Sequence, residues 1–423
     1  MSENRPIILA AGGTGGHLFP AQALAEALIA RGHRVILVTD RRGLKIGPHS
    51  RHSREGGNLS EVGSKIPASA GMTAKGEVEI RHVQAAGRKP GLKGLARMVI
   101  KQGLGYLQSH ALHLREKPLA VVGFGGYPSL PTVMAALHQR RPVILHEQNA
   151  VLGRVNRMLA AKAKAIGTAY PTLERVPVKA ASEYQVGNPV RADIAQLHGQ
   201  DYAAPTEDGP LNLLIIGGSQ GATIFSEILP KAVERLPEHL RSRLAITQQA
   251  RPADIEEARF AYAQINQKVE LQTFFTDMPQ RLASAHLVIA RAGASTVAEL
   301  TAAGRPAILV PYPSAIDNHQ HKNAEQMVAQ HAAWLMPQDG FTAEALATRL
   351  ELLLTTSEKL VETAASARNA AHIDAADRLA DLVLGLAGRA IDRPEAKTGQ
   401  ETAANTPNET PNRPRNLGME IAP

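Results

Sequence analysis

Two hexapeptides in this 423-residue chain, GGTGGH at 12–17 and GGSQGA at 217–222, have the makings of anion sites. Each follows an apolar run, PIILA in one case and LNLLII in the other, and each leads into a helix-like stretch. Glycine, lacking a Cβ, lets backbone N–H groups close on a phosphate, and the positive end of a helix adds to the attraction. Neither loop is a Walker motif, because no Gly-Lys-Ser/Thr ending is present. Read as a dinucleotide fingerprint, Gly13 and Gly15 fit, but Leu18 stands where a third glycine or alanine is required. Asp40, closing the next apolar run, keeps a nicotinamide-dependent oxidoreductase open as a rival reading of the first loop. A tight turn without a ligand accounts for either loop alone. Two of them in matching positions point to one shared ligand site.

The elements that must hold these loops follow from hydrophobic patterning. RPIILA, a glycine loop, AQALAEALIA and RVILVTD read as strand, helix and strand, and LAVVGFGG and RPVILHEQ add strands of the same buried, parallel kind. The rhythm restarts at LNLLIIGG and continues through RLAITQQ, VELQTFF, HLVIARAG and RPAILVPYP, with STVAELTAAG and NHQHKNAEQMVAQHAAW as helices between them. Two doubly wound α/β domains with a cleft between them are therefore expected. Residues 47–77, rich in Gly, Ser and His, break the pattern and read as a structureless insertion remote from the chemistry. The tail 391–423 has almost no large apolar residue and is expected to be disordered.

Composition narrows the function. There is no cysteine, which removes disulfides, thiol nucleophiles and Cys-based metal sites and fits a cytosolic protein. The formal net charge of +8 suits phosphates or an anionic surface. No aromatic-rich basic sheet, Cys/His finger or helix-turn-helix spacing points to nucleic acid. The N-terminus reads as carrying no secretory signal, and the apolar stretch 119–137 is too broken by Gly and Pro to be a membrane span. Asp317, His319 and His321 lie two apart, which does not converge on a metal in a helix. His110 and His113 read as surface residues. In 85–107, Leu92, Leu95, Met98 and Val99 fall at helical spacing among Arg88, Lys89, Lys93, Arg97 and Lys101. That pattern fits either a helix lying on an anionic bilayer or one packed on the sheet.

In chain order, AGGTGGHLFPA, GFGGYPSLP, HEQNAVLGRVNR, VGNPVR, GGSQGA, RAGASTVAEL and DNHQHKNA resemble the motifs of the MurG family of bacterial glycosyltransferases, over residues 5–390 apart from the insertion. The resemblance implies a GT-B fold, with two Rossmann-like domains facing across a cleft. An acceptor- and membrane-facing domain would span 1–190 and a UDP-sugar domain 191–370, with 371–390 a helix crossing back. It implies inverting transfer of N-acetylglucosamine from UDP-N-acetylglucosamine to lipid I without metal or cofactor. It further implies a peripheral place on the cytoplasmic face of the inner membrane and contact with cell-wall and division machinery. On this basis the membrane reading of Leu92, Lys93, Leu95, Arg97, Met98, Val99 and Lys101 gains weight. Thr14, Gly15 and Gly16 would face the reacting end, Asn149 the sugar, and Arg191 and Ser219 the diphosphate. Ala294, Ser295, Thr296 and Val297 would cradle the diphosphate, Glu299 would accept from the ribose and Gln320 would reach the sugar hydroxyls. Phe275 would meet uracil through its backbone. His17 is the leading candidate for general base, since imidazole accepts a proton near neutral pH; ordering the loop or binding acceptor pyrophosphate is its other reading. Glu147 is the second candidate, and its other reading is a buried carboxylate bonded to nearby backbone. A nucleotide-sugar-binding subunit without turnover is the non-enzymatic alternative.

Overall fold

The computed structural model describes residues 5–12, 15–40, 65–67 (backbone only), 77–87, 90–218 and 221–388. In the first lobe the strands are β1 (Ile7–Ala10), β2 (Val35–Thr39), β3 (Lys65–Pro67), β4 (Glu77–His82), β5 (Ala120–Gly123), β6 (Val143–Glu147), β7 (Ala165–Thr168) and β8 (Glu183–Gln185). They form one sheet in the order β3-β4-β2-β1-β5-β6-β7-β8, parallel except for β3 against β4. In the second lobe β9 (Leu211–Ile216), β10 (Leu244–Gln249), β11 (Val269–Gln272), β12 (Leu287–Ala290), β13 (Ala307–Leu309) and β14 (Trp334–Leu335) form a parallel sheet in the order β11-β10-β9-β12-β13-β14.

The central strands are apolar at nearly every position because helices cover both faces. Along β1, Ile7 and Leu9 join one core with Leu24 and Leu28 of the helix Gly15–Ala30, while Ile8 and Ala10 join the other with Val133 of the helix Gly126–His138. Chain order reverses between β1 and β5 and again between β9 and β12. These are the switch points at which such sheets hold ligands, and the two glycine loops leave the sheets there. The helix Ala375–Leu386 packs on the first lobe: Leu379 and Val383 enter its core, and Arg31 pairs with Asp377 and Asp381 at 2.9 and 2.7 Å.

Three expectations need correction. The segment 47–77 is not structureless throughout, since residues 65–67 pair antiparallel with β4 at the sheet edge; the rest of it and the tail 391–423 lie outside the described residues. The helix Leu92–Glu116 buries Gly105, Ser109, Leu112 and His113 and turns Leu92, Leu95, Leu104, Leu107 and Leu114 outward. Gly105 allows the close approach, because a Cβ there would overlap the Gln84 carbonyl. Below it Ser109 bonds Thr132 at 3.0 Å, and His113, expected at the surface, is fully buried with both ring nitrogens unpartnered among the described residues. Met98 also turns partly inward and leaves the outer stripe.

Burial, helped by Arg141 and His110, pushes the His113 imidazole down to about 4. An unfolded chain takes up that proton near 6.5, so stability falls as pH drops from about 6.5 toward 4, by about 3 kcal/mol at the low end. His113→Leu is expected to hold its neutral-pH stability or gain, because two unpaired buried nitrogens disappear. It should also lose less stability than the parent between pH 7 and 4.5 in urea melts. An unchanged acid slope would mean that His113 is not neutral in the folded chain.

Candidate active site

His17 lies in the first turn of the helix that follows the 12–17 loop, beside the opening of the helix Gly126–His138. A Cβ on Gly126 would come within 3.3 Å of His17 Nε2, and the φ of +68° at that glycine also excludes most side chains. His17 Nδ1 is 3.0 Å from Gln148 Oε1. The Gln148 amide nitrogen is 3.0 Å from the His146 carbonyl and 2.9 Å from His146 Nδ1. His146 Nε2 donates in turn to the Gly187 carbonyl at 3.0 Å. Gln148 and His146 are fully buried. Burial pushes the His146 imidazole down to about 4 against the Gly187 bond, with His17 adding to the drop.

Glu147, between these two, is buried and faces away from them. Its Oε1 accepts from the Asn149 backbone and amide at 3.1 Å each. Its Oε2 accepts from Gly153 N and Asn156 Nδ2, both at 2.9 Å. With four donors on two oxygens, no lone pair is aimed at a substrate proton. Of the two readings of Glu147, the geometry favours the buried anchor over the base.

That anchor extends across the lobes. Asn149 Oδ1 accepts from Asn323 Nδ2 at 3.1 Å, and Asn323 Oδ1 accepts from Ala150 N at 2.9 Å. Asn149, expected to meet a sugar, thus has both amide atoms engaged. Asn323 is fully buried and was not legible as functional: an Asn among the polar residues of NHQHKNAEQ looks like helix surface. Nearby, Asp317 receives Arg175, Arg157 and Arg154 of the first lobe at 2.7, 3.0 and 3.7 Å. His319 Nδ1 sits on the Ile316 carbonyl and His321 on Glu325. These three candidate metal ligands are therefore engaged separately.

On the second lobe, Gly293 precedes the helix Ala294–Ala303, and no side chain caps it. The opening N–H groups of such a helix have no intrahelical partner. Val297 offers neither group, since its N–H bonds Gly293 O at 2.9 Å and its side chain is buried. Arg191 donates to Glu299 at 3.3 Å and stacks 5.2 Å above the ring of Phe19, from the His17 helix. Burial pushes the Glu299 carboxyl above the usual range, against the pull of Arg191. Three buried polar atoms at this junction lack partners among the described residues: Arg191 Nε, Ser295 Oγ and Asn188 Oδ1. Arg191 Nε and Ser295 Oγ are donors beside an uncapped helix start, which a diphosphate would satisfy, whereas Asn188 Oδ1 can only accept and would need a ligand N–H or O–H.

Of the other candidates, Gly15 and Gly16 open the His17 helix, and Thr14 and Ser219 lie outside the described residues. Gln320 Oε1 accepts from Tyr312 N at 2.9 Å, leaving its amide nitrogen for a ligand. The Phe275 side chain is buried, with the Arg281 guanidinium 4.2 Å from its ring centroid, so only its backbone can face a base. In the second glycine loop a Cβ on Gly217 would lie 2.6 Å from Ala222 N, so that glycine is required by the turn itself.

Residues 7–49 and 61–168 match the glycosyltransferase family 28 N-terminal domain, and residues 212–379 match the C-terminal domain. Two parallel-sheet lobes with these matches define a nucleotide-sugar glycosyltransferase of the GT-B class. A protein of Rhodospirillum centenum is 51% identical over 384 residues, 90% of this chain and 95% of its own length. One of Paramagnetospirillum magneticum is 48% identical over 388 residues, 91% and 98% of the two lengths. Both are named UDP-N-acetylglucosamine–N-acetylmuramyl-(pentapeptide) pyrophosphoryl-undecaprenol N-acetylglucosamine transferase. The crystal structure of Acinetobacter baumannii MurG superposes with a TM-score of 0.65 at 29% identity, covering 90% of this chain and 99% of that one. The chain belongs to this MurG family.

Proposed function

We propose that the chain transfers N-acetylglucosamine from UDP-N-acetylglucosamine to the muramyl hydroxyl of lipid I, forming lipid II and releasing UDP. The observation that carries this reading is the junction of Arg191, Glu299 and the uncapped Ala294–Ala303 helix, which touches the His17 helix through Phe19. In the transfer step His17 Nε2 takes the proton of the acceptor hydroxyl, and the hydroxyl oxygen bonds the anomeric carbon. The anomeric C–O bond to UDP breaks on the opposite side, which inverts the centre. Charge gathering on the departing diphosphate is met by the helix start, Arg191 and the Ser295 hydroxyl. In the resting chain Arg191 and Glu299 neutralise each other, and a bound nucleotide separates them into a diphosphate contact and a ribose contact.

The test is transfer from radiolabelled UDP-N-acetylglucosamine to a lipid I analogue, run with and without EDTA. Labelled lipid II in both is the expected result. Donor binding with no transfer would leave a binding subunit instead. Glu299→Ala is expected to weaken UDP binding about tenfold or more, the value of a hydrogen bond to a charged group. Equal UDP affinities by calorimetry would remove Glu299 from the nucleotide site.

The acceptor is carried by a lipid, and the helix Leu92–Glu116 supports docking on an anionic membrane face. Leu92 is 86% exposed and Val99 59%, and Leu95, Ile100, Leu104 and Leu107 continue the outward stripe beside Lys93, Arg97 and Lys101. Among the described residues no helix is long and apolar enough to cross a membrane. Each cation near an anionic surface contributes about 1 kcal/mol. Changing Lys93, Arg97 and Lys101 together to Glu should lower partition onto anionic vesicles more than about hundredfold while UDP binding persists. Equal sedimentation of the variant with vesicles would refute this docking face.

A further inference from the structure

The polar chain behind His17 determines which of its nitrogens carries the proton. The Gln148 amide nitrogen lies 3.0 Å from the His146 carbonyl, which can only accept, so the NH2 group must point there. Oε1 is then the atom that faces His17 Nδ1 at 3.0 Å, and an amide oxygen can only accept. Nδ1 must therefore carry a hydrogen, and in the neutral ring Nε2 is bare. The same logic runs one step further back. The Gln148 NH2 also donates to His146 Nδ1, and His146 Nε2–H is spent on the Gly187 carbonyl. His146 is thereby held neutral in a single tautomer, and it keeps Gln148 from flipping.

We infer that Gln148, backed by His146, is a positioning residue that fixes His17 in the tautomer presenting a bare Nε2 to the cleft. This rests on His17 being the general base. It differs from the usual arrangement in which a carboxylate sits behind the imidazole. The nearest carboxylate in sequence, Glu147, is committed to Asn149, Gly153 and Asn156 instead. A neutral amide orders the ring without adding charge. His146 is the titratable group coupled to His17, and the helix Gly126–His138 presents a glycine to it.

The test is ¹⁵N NMR of the full chain labelled at histidine, with the His17 resonances assigned by comparison with His17→Ala. The expected native spectrum shows His17 protonated at Nδ1 and bare at Nε2. In Gln148→Leu the ring should revert toward the Nε2–H form that free imidazole favours, and kcat should fall about 10²-fold or more with KM for the donor nearly unchanged. Gln148→Glu retains an acceptor for Nδ1–H and adds a charge, while setting its other oxygen against the His146 carbonyl and Nδ1. It should therefore keep the Nδ1–H tautomer, recover part of the rate at most and move the acid limb of the kcat/KM profile to higher pH. A purely structural glutamine would not move that limb. A native ring protonated at Nε2, or a tautomer indifferent to Gln148→Leu, would overturn the inference. If Gln148→Leu fails to fold, the native spectrum and the Gln148→Glu profile decide. Full turnover by His17→Ala would instead remove the base assignment while leaving the tautomer measurement to stand or fall alone.

Discussion

His17→Ala is expected to lower the transfer rate about 10²- to 10⁴-fold, the range for loss of a positioned general base. The affinity for UDP-N-acetylglucosamine should stay within about threefold, because the groups poised for the nucleotide belong to the other lobe. His17 is half-buried, and among the described residues its one hydrogen bond is to Gln148, so its removal leaves a single buried amide oxygen to rehydrate. The fold should therefore survive, and the melting temperature serves as the control. If His17 only ordered the glycine loop, donor affinity would fall together with the rate. If it bound acceptor pyrophosphate, KM for the lipid acceptor would rise while kcat held. A fall in kcat below about tenfold would exclude the base role.

Glu147→Ala should produce the largest loss of stability, about 3–5 kcal/mol, because four N–H donors lose their acceptor at a site the side chain shields from water. Two of those donors shape the 147–153 turn, and a third belongs to Asn149, whose other end holds Asn323 across the lobes. Activity should fall as a consequence of that disorder. Glu147→Gln separates this from a catalytic role. Its new NH2 would face either the Asn149 pair or the Gly153 and Asn156 donors, so stability should drop by more than half as much as in the alanine variant. A Gln variant as stable as the parent but without turnover would restore Glu147 as a catalytic group. Urea melts paired with the transfer assay make the distinction.

The sheets were legible because parallel strands covered on both sides leave continuous apolar runs: IILA, VILVT and LNLLII can hardly be anything else. The helix Leu92–Glu116 shows where pattern reading stops. Its apolar stripe was visible, but period alone does not say whether a stripe faces inward or outward. What settles the direction is Gly105, whose missing Cβ lets the opposite face press against the Gln84 carbonyl. The same limit hid Gln148, His146 and Asn323. A polar side chain buried by satisfying another is indistinguishable in sequence from one bathed in water. Only alternation at the end of β6, where His146 and Gln148 project to one side and Glu147 to the other, hinted that HEQN splits into two networks. Nothing in HEQN signals that Asn323 claims Asn149, so the motif by itself offers Asn149 to a sugar.

The chain passes between the lobes twice, at 186–191 and at 370–374, and the two passages touch: a Cβ on Gly187 would strike the side chains of His372 and Ala375. Two crossings side by side would confine any relative movement of the lobes to a swing about one line. The last atom of the His17 relay, the Gly187 carbonyl, sits on that line, where a swing would displace it least. The imidazole is thus tied through Gln148 and His146 to the crossing itself, and would keep its aim through any such swing.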